Sequence, residues 1–343
     1  MAIKVRAGDV EGDREAAIGL LSKYVNPAYD RARYDWLYRA NPAGRGRLWL
    51  AVDGSTGDAV GTAGALPRWV SARGRDLRAW VLADFCVAEG HRALGPALQL
   101  QRACLEDLRA DGSVLWYDFP SRTMEAVYRR LGATPRLQIT RSVRLLRSHD
   151  ALRRRLGSSA LAWTVGLAAD LALAWGTRPP RSLTMGPHEG PCGREFTELA
   201  RSAGPGYGAV VRRHAEYLNW RFLDNPIHRH DILAARRDGR LVGYVAVDVR
   251  EDTAAIVDLF GIPDPRVIEG VLRGALAWLR RRGIASVTLW LLPPRSWVPV
   301  LHRLGFRPRE AAPVMMELAA AASGAPELDN PALWLLTHGD RDS

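Results

Sequence analysis

The turn after Val87 contains the residues best suited to chemistry in this sequence. It reads Ala-Glu-Gly-His-Arg92-Ala93-Leu94-Gly95-Pro-Ala97 and leads into a helix with apolar periodicity. A strand followed by a glycine turn and a helix start leaves several backbone N–H groups free at the positive end of the helix dipole. Gly95 permits close approach of an anion, Ala97 keeps the first helical turn uncrowded, and Arg92 can hold the loop or reach the anion. The pattern predicts an anion site that suits a pyrophosphate.

An acid lies in the strand before this turn. Because side chains alternate along a strand, Asp84 is expected to share a face with Leu82 and Cys86. A carboxylate on such a face must be paired or must line a cleft. An acid at the equivalent position of a second copy, Asp258, favours a structural role for both.

The chain contains two related copies of one pattern. Trp36 and Trp220 lie 184 residues apart, and each is followed at the same spacing by Asn-Pro. Asp84 and Asp258 lie 174 residues apart, and the Leu-Gly pairs at Leu131 and Leu304 lie 173 apart. Such regular offsets indicate a duplicated domain.

The positioning elements follow the same order in both copies. Strands alternate with helices as β-α-α-β-β-β-α-β-α-β, including antiparallel hairpins and one parallel crossover per copy. This order predicts an α+β fold, a mixed and mostly antiparallel sheet flanked by helices. We expect an N-terminal domain at residues 1–148, a helical segment at 149–180 and a C-terminal domain at 181–343.

Two motifs in the first copy resemble those of the GNAT superfamily of N-acyltransferases. Leu82-Ala-Asp84-Phe-Cys-Val87 followed by Arg92-x-x-Gly95-x-Ala97 is similar to its acyl-CoA-binding motif. The segment from Ser121 to Ala133, with Tyr128 before Arg-Arg-Leu-Gly-Ala, looks like its second signature. The resemblance extends over nearly the whole chain as two tandem domains.

This resemblance implies an acyl-CoA-dependent enzyme that acylates a primary amine, with acetyl-CoA or another acyl-CoA as co-substrate. The amides of Ala93, Leu94, Gly95 and Ala97 would cradle the CoA pyrophosphate, with Arg92 beside them. The backbone amide around Val87 would polarise the thioester carbonyl. By the same analogy Tyr128 would protonate the departing thiolate, and Asp84 would bind or deprotonate the amine. Asp118 and Glu125 are weaker acidic candidates.

The second copy lacks these features. Its equivalent turn contains Pro263 and Pro265, which remove donors, and Asp264, which places a negative charge at the helix start. Leu301 occupies the position that corresponds to Tyr128. This copy should not bind CoA, and we interpret it as a degenerate domain that supports the first.

Composition limits the partners. The net charge is +11, but all except two of the 48 basic residues are arginine, a bias that we attribute to background composition. The expected partner is therefore a small-molecule amine and not a nucleic acid. Three scattered cysteines argue against a disulfide framework or a metal site. The apolar stretch Ser158–Trp175 is interpreted as a helix buried between the domains, and membrane contact through it is less favoured. The first residues show no signal-peptide pattern, so we expect a cytoplasmic location.

Two alternatives remain open. A FemX-like transferase has the same duplicated fold and would take an aminoacyl group from tRNA, which would give the arginines a role. A non-catalytic module for binding or assembly would have lost chemistry in both copies. The sequence does not determine the acceptor, the acyl group or the oligomeric state.

Overall fold

A computed structural model describes residues 3–92, 94–111, 113, 115–147, 178, 180, 182–318, 328 and 330–342. Ala93 and the apolar stretch Ser158–Trp175 lie outside the described residues, so the predictions for them stay untested. No helix within the described ranges is both long and apolar enough to cross a membrane.

The N-terminal half follows the predicted order of elements. They are β1 (Ile3–Gly8), α1 (Arg14–Tyr24), α2 (Arg31–Tyr38), β2 (Arg47–Asp53), β3 (Ala59–Ala72), β4 (Arg75–Val87), α3 (Leu94–Ala110), β5 (Leu115–Asp118), α4 (Arg122–Arg130) and β6 (Leu137–Leu145). Local signals determine several ends. The Asp30 and Ser121 side chains accept hydrogen bonds from the first turns of α2 and α4, and Pro42 follows the end of α2.

The C-terminal half repeats this order with one addition inside it and one further strand after it. Its elements are β7 (Thr184–Pro187), α5 (Arg194–Ala203), β8 (Ala209–Val211), α6 (Ala215–Leu218), β9 (Asp231–Arg237), β10 (Arg240–Arg250), β11 (Thr253–Gly261), α7 (Pro265–Arg281), β12 (Ser286–Leu292), α8 (Val298–Arg303), β13 (Arg307–Leu318) and β14 (Trp334–Thr337). The short strand β8 is the addition, since the sequence contained no separate signal for it. A π-helical turn at Asn219–Leu223 continues α6.

The strands form one continuous mixed sheet in the order β1-β2-β3-β4-β5-β13-β6-β12-β11-β10-β9-β7. Along this path β4 with β5 and β11 with β12 are parallel pairs, and the other pairs are antiparallel. Buried side chains form two clusters on opposite faces, the smaller of which lies under α3 and α4. The expected α+β class, with helices on a mostly antiparallel sheet, is confirmed.

The two halves exchange their last long strands. β13 of the C-terminal half lies between β5 and β6, and β6 of the N-terminal half pairs with β12. Arg109 of α3 binds Glu317 of β13 with two hydrogen bonds of 2.6 Å, which joins the halves again at the surface. The domain limit proposed at residue 148 therefore separates the halves in sequence, while each half completes the other's sheet.

The repeated tryptophans meet at the junction of the two halves. The rings of Trp36 and Trp220 stack with centroids 5.0 Å apart. Each indole N–H donates to the backbone carbonyl of the other tryptophan, at 2.7 and 2.8 Å. The repeat detected in the sequence is thus a reciprocal contact that holds the halves together.

Candidate active site

The site begins where β4 and β5 separate. Their parallel pairing runs from Ala79 with Leu115 to Val81 with Tyr117 and then stops, while β4 continues to Val87 along β3. Within the described part of the chain, no strand pairs with β4 in place of β5 beyond this point. The sheet therefore opens beside the end of β4.

The N–H group of Val87 points into this opening. The Ala88 N–H donates to Val60 at 2.8 Å, and Val87 faces Gly61 in the ladder. Because bonded and non-bonded pairs alternate in an antiparallel ladder, Val87 directs its backbone polar groups away from β3. The Arg92 guanidinium donates to the Val87 carbonyl at 3.3 Å, so Arg92 holds the loop after the strand.

Helix α3 begins next to the opening, two residues earlier than the apolar pattern predicted. Its first turn contains Leu94, Gly95, Pro96 and Ala97, whose N–H groups (except for that of proline, which has none) are free of intrahelical acceptors. Gly95 is exposed, and a Cβ atom added there would contact nothing within 4 Å. The three described amides of the predicted anion site therefore lie together at an open helix start.

Asp84 lies in a β-bulge, where the β3–β4 register shifts between Thr62 and Gly64. Its φ of 53° is in the left-handed region, which costs energy for a non-glycine residue. The bulge interrupts the side-chain alternation, so Cys86 packs on the side of Asp84 while Leu82 packs on the opposite face. The expectation that Asp84 shares a face with Leu82 was wrong for this reason.

Two phenols hold the Asp84 carboxylate. Tyr29 and Tyr38 donate to Oδ2 at 2.6 and 3.0 Å, and Gly64 leaves room for the Tyr38 hydroxyl, which lies 2.0 Å from a Cβ built at that position. Burial raises the pKa of Asp84 to about 6, although the two phenols and the charge of Arg33 oppose this shift. Asp84 is thus ionised at neutral pH, and its pKa is close enough to neutral pH for the carboxylate to accept and release a proton.

Tyr128 lies on the other face of the sheet, below α3. Its hydroxyl donates to Asp118 at 2.7 Å and accepts from Gln101 at 3.2 Å, and its ring stacks on Trp116. Burial, followed by the charge of Asp118, raises the pKa of Tyr128 well above its usual value. Burial also raises the pKa of Asp118 to about 7, against the opposing Tyr128 hydrogen bond. Tyr128 therefore keeps its proton at neutral pH and is coupled to a carboxyl that titrates there.

The C-terminal tail reaches this site, which sequence reasoning missed. Tyr117 donates to the Asp340 carbonyl at 3.2 Å, and the Arg341 guanidinium lies over the Phe119 ring at 5.5 Å. The charge of Asp342 contributes, after burial, to the raised pKa of both Asp84 and Asp118. The sequence assigned no chemistry to the tail, and its contact with β5 depends on the fold. Glu125, a weaker acidic candidate, lies in the first turn of α4.

The corresponding opening in the C-terminal half is closed. After Ile256 and Leu289 the pairing of β11 with β12 stops, and β14 pairs with β12 at Leu291 and Leu292 instead. The Asp264 side chain caps α7 by accepting from the Arg266 N–H at 2.8 Å. Tyr207 donates to the carbonyl of Gly261, the counterpart of Val87, at 2.7 Å. Protein groups therefore occupy the positions that a phosphate would need.

Asp258 is also held differently from Asp84. Arg213 donates to both of its oxygens at 3.0 and 3.3 Å, and Tyr244 and Thr337 add bonds of 2.7 and 2.8 Å. Arg213 also pairs with Asp340 at 2.7 Å, and all three charged side chains are fully buried. This network is structural, as expected from the sequence for Asp258.

Comparison with known proteins agrees with this geometry. Residues 11–136 match the acetyltransferase (GNAT) domain family, and no curated protein matches the sequence. A GCN5-related N-acetyltransferase from Anabaena variabilis superposes with a TM-score of 0.66 at 13% identity, covering 94% of this chain and 74% of that one. A GCN5-related N-acetyltransferase from Kribbella flavida gives 0.63 at 18% identity, covering 94% and 72%.

The N-myristoyltransferase of Saccharomyces cerevisiae, solved with bound myristoyl-CoA, has a TM-score of 0.54 at 11% identity and covers 92% of this chain and 82% of that one. Residues 11–136 therefore match the acetyltransferase (GNAT) domain family, and the chain as a whole shares the fold of these N-acetyltransferase structures.

Proposed function

We propose that this protein is an acyl-CoA-dependent N-acyltransferase, with its active site in the N-terminal half. It would transfer an acetyl or related acyl group from CoA to a primary amine of a small molecule or sugar. The observation that carries the proposal is the separation of β4 and β5 beside the start of α3, where Gly95 is exposed. A related fold, that of the yeast N-myristoyltransferase, was solved with an acyl-CoA bound.

The start of α3 fits the diphosphate of CoA. The N–H groups of Leu94, Gly95 and Ala97 and the positive end of the helix dipole attract an anion, and the missing side chain of Gly95 allows it to approach closely. Arg92 is exposed beside this turn and adds positive charge. The thioester would then lie along the opening, where the Val87 N–H can donate to the carbonyl oxygen as negative charge develops.

The remaining steps are proton transfers. The amine nitrogen attacks the thioester carbonyl carbon, the carbon–sulfur bond breaks, the nitrogen loses a proton and the thiolate gains one. Asp84 is the proposed acceptor of the amine proton, because its pKa near 6 leaves it ionised at neutral pH. Tyr128 is the proposed donor to the thiolate, and Asp118 can replace the proton because its pKa is near 7.

The decisive experiment measures binding of acetyl-CoA by thermal shift and by mass spectrometry of the purified protein. The wild type should be stabilised by acetyl-CoA and should copurify with CoA or its thioesters. Gly95→Glu should weaken binding at least about a hundredfold, since it places a carboxylate at the anion site. The fold should survive, because Gly95 is exposed and a Cβ atom added there meets no atom within 4 Å.

Gly186→Glu is the matched control, because Gly186 in β7 also has no atom within 4 Å of a built Cβ but lies in the other half. It should bind acetyl-CoA as the wild type does. Salt-sensitive tRNA binding without any effect of acetyl-CoA would overturn the proposal in favour of an aminoacyl transferase. Absence of any response to either ligand would indicate a non-catalytic module.

A further inference from the structure

The C-terminal half contains an open cavity of about 390 Å³ over β11 and β12. The cavity exists because small side chains cover the sheet there. Ser286 and Thr288 of β12 pair with Thr253 and Ala255 of β11. At the equivalent positions of the N-terminal half, Leu115 and Tyr117 pair with Ala79 and Val81. Leu115 and Tyr117 are large and fully buried, whereas Ser286 and Thr288 are half-buried and leave space. The cavity is therefore a feature that the duplicated fold acquired in one half.

Basic side chains form the wall of this cavity. They are Arg221, Arg250, His228, His230 and His338. The single acidic lining residue, Asp248, is already engaged by Arg250 in an ion pair of 2.8 Å. The lining thus has an excess of positive charge and of hydrogen-bond donors.

Arg221 is the group whose bonding is incomplete. Its side chain is only 3% exposed, and it donates from Nε to the Gly339 carbonyl at 2.7 Å and from Nη2 to the Arg341 carbonyl at 3.2 Å. Its Nη1 is buried and has no partner among the described residues, and both acceptors that it does reach are neutral carbonyls. Burial lowers the pKa of Arg221, although the charges of Asp342 and Asp340 oppose this shift. An anion in the cavity that Arg221 lines would reduce the cost of burying this guanidinium.

The histidines complete the donor set. His228 accepts from Arg250 at Nδ1, so the neutral ring carries its hydrogen on Nε2 and can donate to a ligand. The Nδ1 of His338 is buried and also without a partner among the described residues. Burial, followed mainly by neighbouring arginine charges, lowers the pKa of His338 to about 3, so at neutral pH the positive charge of the cavity comes from the arginines.

We propose that this cavity is a binding site for a small anion that presents a carboxylate or phosphate group, with Arg221 as its main anchor and His228, His338 and Arg250 around it. The planar guanidinium matches the geometry of such oxyanions. A metal ion is not the expected ligand, because the described residues hold no group of three or more His, Cys, Asp or Glu side chains placed to bind one. The volume lies in the range of small-molecule sites.

None of the residues that line this cavity belongs to the proposed acyl-transfer site. Inorganic phosphate and acetate, each compared with chloride at equal ionic strength, are the two probes for calorimetry and thermal shift. At least one of them should bind the wild type saturably and raise its Tm, and which one does so identifies phosphate or carboxylate as the preferred group. Absence of saturable binding of both probes would overturn the proposal.

Two variants locate the binding. Ala255→Phe fills the cavity without removing a charge and should abolish the response, whereas Arg250→Gln should weaken it about tenfold by removing one cation. Arg237→Gln is the matched control, because Arg237 is exposed on β9 and does not line the cavity. Binding that survives Ala255→Phe, or that falls equally in Arg237→Gln, would contradict the assignment. Acetyl-CoA should stabilise all three variants as it does the wild type, which keeps this site distinct from the proposed active site.

Discussion

Parallel strands separate at one place in each half of this protein, and only the separation in the N-terminal half stays open. In the N-terminal half, β4 and β5 part beside the start of α3, where Gly95 is exposed. In the C-terminal half, β14 pairs with β12 where β11 leaves it, and Asp264 caps the following helix. The duplicated fold thus separates these strands twice, and local differences leave one separation open and close the other.

Asp84 and Asp258 occupy equivalent positions in the two halves but are bound by different side chains. Tyr29 and Arg213 lie 184 residues apart, the same offset as Trp36 and Trp220. Tyr29 donates to Asp84 and Arg213 donates to Asp258. A phenol leaves the buried carboxylate with a raised pKa, whereas a guanidinium makes it part of a buried ion network. The partner, more than the acid itself, distinguishes a group able to exchange protons from a structural one.

Exchanging the partner of Asp258 should have the largest effect. Arg213→Met leaves Asp258 and Asp340 buried without their cation and should lower the free energy of unfolding by about 3–5 kcal/mol. Tyr29→Phe, the matched change in the other half, removes one hydrogen bond and should cost about 1–2 kcal/mol. Urea unfolding of both variants measures the difference, and equal losses would show that the two acids are held alike.

Neutralising Asp84 should reveal its raised pKa. A carboxyl whose folded-state pKa is raised stabilises the fold at low pH and loses that contribution as the pH rises through about 6. Asp84→Asn cannot ionise, so its free energy of unfolding should gain on that of the wild type between about pH 4.5 and about pH 7.5, by a difference on the order of 2 kcal/mol. Unfolding curves at both pH values test this, and a relative loss at neutral pH would contradict it. Acyl transfer should nevertheless fall if Asp84 accepts the amine proton.

Removing the hydroxyl of Tyr128 separates catalysis from binding. Tyr128→Phe should lower kcat about tenfold to a hundredfold, because a positioned acid contributes on that scale or more, and should leave the affinity for acetyl-CoA nearly unchanged. The C-terminal counterpart Leu301 supplies the control, since Leu301→Met should alter neither quantity. Steady-state kinetics with calorimetry distinguishes the two effects. Unchanged kcat in Tyr128→Phe would remove this residue from the mechanism.

Removing the N-cap of α7 should have the smallest effect. Asp264→Ala removes the side-chain bond to the Arg266 N–H and should cost about 1 kcal/mol of stability. It should create no second site for acetyl-CoA, because Pro265 still deletes a donor and Tyr207 still occupies the Gly261 carbonyl. A binding stoichiometry that rises above that of the wild type would show that the cap alone keeps the site closed.

Much of the molecule could be predicted from local pattern. Apolar periodicity, the Asn-Pro stop after α2 and the glycine turn before α3 predicted nearly every helix and strand within a few residues. The same signals predicted an open helix start at Gly95 and a blocked one at Asp264. These features depend on residues close in sequence, so a linear pattern contains them.

The face of Asp84 could not be predicted in this way. Strict alternation placed it with Leu82, but the bulge, which lies between the partners of Thr62 and Gly64, turned it towards Tyr29 and Tyr38. The insertion of β14 and the approach of the tail to Asp118 were also missed, because the contacting segments are far apart in the chain.

The sequence by itself determined the duplicated α+β fold, the exposed helix start at Gly95 and the capped one at Asp264 in the second copy, because each follows from neighbouring residue types. Only the tertiary structure decided that β6 and β13 cross between the halves and that a strand closes one opening and not the other. It also decided that Asp84 is held by phenols while Asp258 is held by an arginine. Strand pairing and burial depend on segments that are far apart in the chain. The pattern of residues along the chain does not specify which of several strands pairs with a given sheet edge.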